Sequence, residues 1–257
     1  MSVRVPARSA KRAPLAHTVG MARVLDADPD LGAGLESDEL TLARQAAVAP
    51  EIVHSPGPWS FFPPPDQASL GILVLEGLLA VRLQLGDRAH LELLGEGDVI
   101  SPWVGVGPSL ALPRSVTAAV LSDVRMLLLS RSFTLRTGRW PEIHGALTQR
   151  LIARSRWISL QAAINAIPRT EHRVELTLWH LACRFGRMTL AGLVLPVNLT
   201  HVLLSEIVAA QRPSVSMAVS RLSAQGRVRR QPDGGWLLPG SPPAELKTLL
   251  EQGSAGP

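Results

Sequence analysis

Five arginines, Arg212, Arg221, Arg227, Arg229 and Arg230, fall within one short stretch, and no acidic residue lies among them. A guanidinium offers parallel N–H donors, a geometry that pairs with guanine O6 and N7 or clamps a phosphate. Arg212 is followed by Ser214, Ser216 and Met217. Serine hydroxyls can meet a phosphate or either base type, and methionine can lie against a thymine methyl. Arg212, Ser214, Ser216 and Met217 are therefore the candidates for reading base edges. Arg221, Arg227, Arg229 and Arg230 are candidates for neutralising phosphates, with Thr200, Gln211 and Ser220 as further phosphate contacts. The competing reading is a helical hairpin with solvated arginines on its rim. The lack of interleaved acids weighs against it.

Such residues need a helix that presents its N-terminus to a groove. Pro213 suits a first turn, Val215, Val219 and Leu222 share one face, and Gly226 is a stop signal. Upstream, Thr200 is placed to cap a helix with Leu203, Leu204, Ile207 and Val208 on its buried face. Ala209, Ala210 and Gln211 form a compact turn between the two helices. Arg227–Arg230 and Trp236–Leu238 flank Pro232–Asp233–Gly234–Gly235, the pattern of a hairpin with a tight turn. A helix over Glu171–Phe185, ending at Gly186, and a hairpin over Met188–Leu195 precede them. Helix, turn, helix and basic hairpin make a winged helix-turn-helix, placed at residues 169–240.

Ahead of it, residues 139–168 read as one long helix with Pro141 in its first turn and Pro168 at its end. Leu147, Leu151, Ile158 and Ile164–Ile167 form an apolar stripe, interrupted by Arg154 and Gln161. An exposed stripe needs a partner. A two-fold dimer is expected, with packing against the helix's own domain as the alternative.

Residues 37–138 carry a different texture. A helix is expected over Asp38–Val48 with Ser37 as its N-cap. Strand-like runs follow: GILVLEG, LLAVRLQL, HLELLGEGDVI, SVTAAVL and RMLLLS. Val81, Leu83 and Leu85 alternate with Arg82 and Gln84, predicting a half-buried strand. The fold class is thus α+β: an N-terminal antiparallel β-roll, a long dimerisation helix and a C-terminal winged helix-turn-helix. Residues 1–36 lack apolar periodicity and are expected to be a disordered tail, and residues 241–257 a second tail. The opening is Arg-rich and acid-poor like a transit peptide, but disorder or a true start at Met21 is the favoured reading.

Charge is divided unevenly along the chain. Residues 1–138 hold 12 Lys/Arg and 14 Asp/Glu, whereas residues 139–257 hold 14 and 7. A polyanion partner for the basic half follows. A GC-rich genome produces the same arginine-rich composition without selection for binding, so position carries more weight than charge. No apolar run is long enough to span a bilayer. The lone Cys183 rules out a thiolate-built zinc site, a four-cysteine cluster and an internal disulfide, and suits a reducing cytoplasm. The histidines show no ligand spacing, so no metal and no cofactor are expected. There is no GxGxxG, no GKS and no GxSxG, and the roll region lacks a His-x-His pair. No catalytic residue is assigned. A signalling protein that binds a ligand or partner without specific DNA readout remains the alternative to a DNA-binding protein.

The segment LTHVLLSEIVAAQRPSVSMAVSRLSAQGRV resembles the helix-turn-helix of the Crp/Fnr regulator superfamily. GILVLEGLLAVRLQLGDRAHLELLGEGDVI resembles its cyclic-nucleotide-binding-like β-roll, most clearly at LGEGDVI. The likeness extends over residues 38–240 and implies a cytoplasmic transcription regulator that binds palindromic double-stranded DNA as a homodimer and acts with RNA polymerase. Members that bind cyclic AMP carry a Gly-Glu pair followed about ten residues on by Arg-Ser. Here Arg114–Ser115 match the second half and are the effector-pocket candidates. Ser101–Pro102–Trp103–Val104 stand where the first half is expected, with no glutamate for the ribose. Cyclic AMP is therefore not expected, because a missing polar partner is costly. A different small-molecule effector is left open.

Overall fold

A computed structural model describes residues 17–59, 69–100 and 115–247. The chain divides into two compact units, the first built mainly from residues up to 150 and the second from residue 151 onward together with 82–92.

The first unit begins with β1 (His17–Arg23), α1 (Val24–Ala27), a 3-10 turn at Pro29–Gly32 and α2 (Ser37–Ala46), followed by β2 (Val48–His54) and β3 (Gly57–Trp59). The strands β4 (Gly71–Glu76), β5 (Leu79–Leu85), β6 (Arg88–Leu94), β7 (Val99–Ile100), β8 (Ser115–Val120) and β9 (Val124–Leu129) come next, then α3 (Arg131–Thr137), the stretch 82–92 of β5 and β6 counting with the second unit. Two sheets result, ordered β1-β2-β9-β4-β7 and β3-β8-β5-β6. The five-stranded sheet is covered on both faces, which explains why GILVLE is apolar without alternation. Leu73, Leu75, Leu127 and Leu129 point to one core with Leu25, Phe133, Trp140 and Ile143. Ile72, Val74, Met126 and Leu128 point to the other, between the sheets, with Trp59, Leu79 and Val120. Gly77 allows the turn between β4 and β5, for its φ is +88° and a Cβ there would lie 2.1 Å from the Asp123 carbonyl oxygen.

Three expectations need correction. Residues 17–36, read as part of a disordered tail, form β1, α1 and the 3-10 turn. β1 pairs antiparallel with β2, from His17↔Val53 to Arg23↔Val48. Val24, Leu25 and Leu31 are at most 1% exposed. These residues are too few and too widely spaced to show a period; they share one core with Ala43, Ala47 and Leu73 and with Phe133 and Trp140, more than a hundred residues away. A chain starting at Met21 would lack the first half of β1. Ser37 is the first residue of α2 rather than its cap, which is the extended Glu36 with no side-chain cap bond. β5 does not alternate either: Leu79, Ala80 and Val81 are buried, whereas Leu85 is 61% exposed. The strand enters the core at one end and leaves it at the other.

The helix α4 (Pro141–Asn165) has its first residues in the first unit, with Ile143 and Leu147 in the core there. Farther along, Ile164 is buried, while Leu151, Ile152 and Ile158 are each close to 40% exposed. The rest of the second unit is α5 (Thr170–Phe185), β10 (Arg187–Thr189), β11 (Gly192–Leu195), α6 (His201–Ile207), α7 (Arg212–Ala224), β12 (Arg229–Arg230) and β13 (Trp236–Leu238). Its sheet runs β10-β11-β13-β12, with Leu195 opposite Trp236 and Trp236 opposite Arg230. Val174, Leu178, Leu204, Val215, Leu222 and Trp236 are among its buried residues. His180, 3% exposed, stacks on Trp157 with ring centroids 3.4 Å apart. Burial, with Arg184 nearby, pulls its pKa down to about 4 against a hydrogen bond at Trp157 that favours the charged form.

Candidate nucleic-acid interface

The helix α6 starts as its sequence indicates, for the Thr200 hydroxyl oxygen accepts from the Leu203 N–H at 3.2 Å. The hydroxyl hydrogen stays available to an outside acceptor. At its other end the Ala210 N–H donates to the Ser205 carbonyl at 3.0 Å, and Ala209 takes a φ of +51°. This is a Schellman stop with alanine where glycine is usual. Two residues invisible to a search for DNA contacts tie off the same end. Arg173 donates to the Val208 and Ala209 carbonyls at 3.1 and 3.4 Å, and the Asn165 amide donates to the Ile207 carbonyl at 2.9 Å. The angle at which α7 leaves the turn is therefore held from α4 and α5.

α7 opens with Gln211 as N-cap, making no side-chain cap bond, and with Pro213 in the first turn. Val215, Ala218, Val219 and Leu222 are buried. The open face carries Arg212, Pro213, Met217, Ser220 and Arg221, all exposed, with half-buried Ser214 and Ser216 at its edges. The sequence places Arg212, Ser216 and Ser220 one helical turn apart, so they form one row, and Pro213, Met217 and Arg221 the next. Ser220 donates to the Ser216 carbonyl at 3.0 Å, while the Ser216 hydroxyl lies 3.1 Å from His201 Nδ1. The helix ends in a full Schellman motif: Gly226, at φ +72°, donates to the Ser223 carbonyl, and Arg227 N–H to the Leu222 carbonyl at 2.9 Å.

The arginines separate into two groups. Arg227 pairs with Glu175, a carboxylate 3% exposed on α5. Arg230 donates to the Leu199 carbonyl at 2.7 Å and to the Asn198 side chain at 2.5 Å, with its guanidinium 4.5 Å over the Trp236 ring. Burial pulls its pKa below the usual arginine value. Both were expected to meet phosphate; in the structure both stay exposed while bonding within the protein. The acids that were missing between 212 and 230 come from α5. Arg221 makes only a loose 3.9 Å pair with Glu171 and is 68% exposed. Arg212 and Arg229 are exposed and have no ion pair among the described residues. The wing turn between β12 and β13 is closed by the Asp233 carboxylate, which accepts from Gly235 N–H at 2.9 Å.

Of the effector candidates, Arg114 lies outside the described residues, and Ser115 opens β8. A separate cavity of about 150 Å³ in the first unit is lined by Asp28, Asp30, Glu96, Gly97 and Arg150. Arg150 reaches across it to Asp28 at 3.2 Å. Burial raises the pKa of Asp28, with Arg150 opposing. Among the described residues no group of three or more His, Cys, Asp or Glu is placed to hold a metal ion, and no helix is long and apolar enough to cross a membrane.

No sequence-family model matches the chain, and no curated protein matches it by sequence. Solved structures do. The c-di-GMP responsive global regulator CLP of Xanthomonas campestris superposes with a TM-score of 0.59 at 18% identity, covering 78% of this chain and 99% of that one. FixK2 from Bradyrhizobium japonicum gives 0.57 at 18% identity, covering 74% and 92%. A CRP-family transcriptional regulator from Thermus thermophilus gives 0.56 at 17% identity, covering 79% and 97%. The chain has the fold of Crp/Fnr-type regulators, as the two sequence stretches implied.

Proposed function

We propose that the chain is a sequence-specific DNA-binding transcription regulator of the Crp/Fnr type, which binds palindromic DNA as a homodimer and does not depend on cyclic AMP. The observation that carries this reading is the open face of α7. Two rows, Arg212–Ser216–Ser220 and Pro213–Met217–Arg221, stand clear of the buried Val215, Val219 and Leu222, and α7 carries no acidic side chain. A helix so presented enters the major groove N-terminus first. Arg212 reads a guanine through two hydrogen bonds, Ser214 and Ser216 take nearby edges or phosphate oxygens, and Met217 packs on a thymine methyl. Backbone amides at the start of α7, the Thr200 hydroxyl, Gln211, Ser220, Arg221 and Arg229 fix the register on phosphates.

The half-exposed Leu151, Ile152 and Ile158 on α4 supply an apolar patch for a second copy, which would set two α7 helices about one turn of DNA apart. Cyclic-AMP independence rests on residues 101–104, where the sequence offers no glutamate to the ribose. The protein acts in the cytoplasm as a regulator rather than an enzyme, with RNA polymerase as its downstream partner and an effector other than cyclic AMP. The test is selection of bound fragments from genomic DNA by the purified chain without cyclic AMP. A two-fold symmetric motif with half-sites one helical turn apart is the expected result. No retention of DNA even at low ionic strength would favour a signalling module without DNA readout.

A further inference from the structure

We propose that His201 fixes the hydrogen-bonding polarity of Ser216, so that α7 selects a base that offers an amino group, adenine or cytosine, at the position Ser216 meets. This rests on the DNA-binding reading above and adds a residue that the base-reading set lacked. His201 is the first residue of α6, not part of α7, yet its Nδ1 lies 3.1 Å from the Ser216 hydroxyl.

A free serine hydroxyl rotates, and so can donate or accept. It would tolerate the acceptors of guanine and thymine as readily as the amino groups of adenine and cytosine. An imidazole nitrogen at this distance removes that freedom, and the tautomer decides which way. The ring proton is here assigned to Nε2, so that Nδ1 is an acceptor and takes the serine hydrogen, leaving both remaining lone pairs of the oxygen directed away from the ring. The opposite tautomer would make the hydroxyl a donor and favour guanine or thymine instead. Ser216 then presents an acceptor only. The second serine on the row cannot supply the same constraint to the Ser216 hydroxyl, because Ser220 donates to the Ser216 backbone carbonyl. The constraint belongs to Ser216, the serine that faces His201. Arg212, one turn earlier on the same row, carries donors only. The row therefore reads an acceptor base with Arg212 and a donor base with Ser216, two unlike neighbours in one half-site.

His201 acts through Ser216 and is a positioning residue. Its test is selection from a randomised duplex pool with the purified full chain and three single variants, Ser216→Ala, His201→Phe and His201→Gln, and with the double variant Ser216→Ala/His201→Phe. The wild type should show one position per half-site that favours adenine or cytosine by about two- to tenfold, the worth of one hydrogen bond. Ser216→Ala and His201→Phe should each flatten that position and leave the others intact, and the double variant should be no flatter than either. His201→Gln, whose amide oxygen can accept, should keep part of the preference. A mainly structural role for His201 would weaken all positions together. A wild-type motif unchanged at every position by both single variants, or one whose His201-dependent position favours guanine or thymine, overturns the inference while leaving DNA binding in place. If His201→Phe does not fold, Ser216→Ala and His201→Gln decide the matter. A wild type that selects no motif overturns the underlying DNA-binding reading, and this inference with it.

Discussion

Replacing Arg227 with alanine should weaken the fold, not the grip on DNA, and the size of the effect follows from its partner. Glu175 is 3% exposed and has Arg227 as its nearest cation, with His172 at 3.9 Å. Burial already raises its pKa, with Arg227 opposing that shift and Glu245 adding to it. Removing one partner of a fully buried pair costs about 3–5 kcal/mol. Arg227 itself is 43% exposed, so water screens part of the interaction and about 1–3 kcal/mol is expected here. At two to four degrees per kcal/mol for a chain of this size, Tm should fall by about 2–12 °C. The double variant Arg227→Ala/Glu175→Gln should recover most of the loss, because it leaves no charge behind. Acidification should do the same. A carboxyl whose folded pKa lies above its unfolded value favours the folded state below the unfolded value and loses that advantage as pH rises through the folded one. The Arg227→Ala deficit should therefore shrink as pH falls towards the ordinary glutamate value of 4.5. Denaturant titrations at pH 7 and at pH 4.5 make the measurement. A single variant as stable as the wild type at pH 7, or a double variant no better than the single, would refute the reasoning.

Arg229→Ala should lower the slope of log affinity against log salt by about 0.9, one phosphate contact, whereas Arg230→Ala should destabilise the wing and leave that slope nearly unchanged, as DNA titrations across a salt series would report. Ala209→Gly should stabilise the chain by about 0.5–1 kcal/mol, because relief of the left-handed strain exceeds glycine's entropy cost; a lowered denaturation midpoint would contradict the Schellman geometry. His180 has its folded pKa depressed from 6.5 to about 4, so its contribution is present above the unfolded value and lost as pH falls. Between pH 7 and pH 4 the wild type should lose about 3 kcal/mol more stability than His180→Phe, which keeps the stack on Trp157.

Local chemistry made the second unit readable. Thr200 as a cap, Gly226 as a stop, Pro213 in a first turn and Asp233–Gly234 in the wing each act within four residues, a range over which sequence and conformation are tied together. Features held by distant partners were hidden. Leu25 and Leu31 are buried in a core shared with residues as distant as Phe133, Trp140 and Ile143, and no local periodicity announced an ordered N-terminal segment. Arg227 and Arg230 looked like free cations because Glu175 and Asn198 lie 52 and 32 residues away. His201 carried no signal as a ligand, and only the packing of α6 on α7 brings it to Ser216. The period-2 reading of β5 failed for a related reason: alternation assumes one wet face along the whole strand, whereas this strand is enclosed at its start and open at its end.

The claim on which the account turns is that the leading end of α7 reads a base pair. The direct measurement is the affinity of wild type and Arg212→Ala for a selected site and for a scrambled duplex, at one fixed salt concentration. The wild type should discriminate, and the variant should lose about 1–3 kcal/mol of that discrimination, binding the two duplexes nearly alike. Discrimination that survives the loss of Arg212 undiminished, or its absence from the wild type, would contradict the claim.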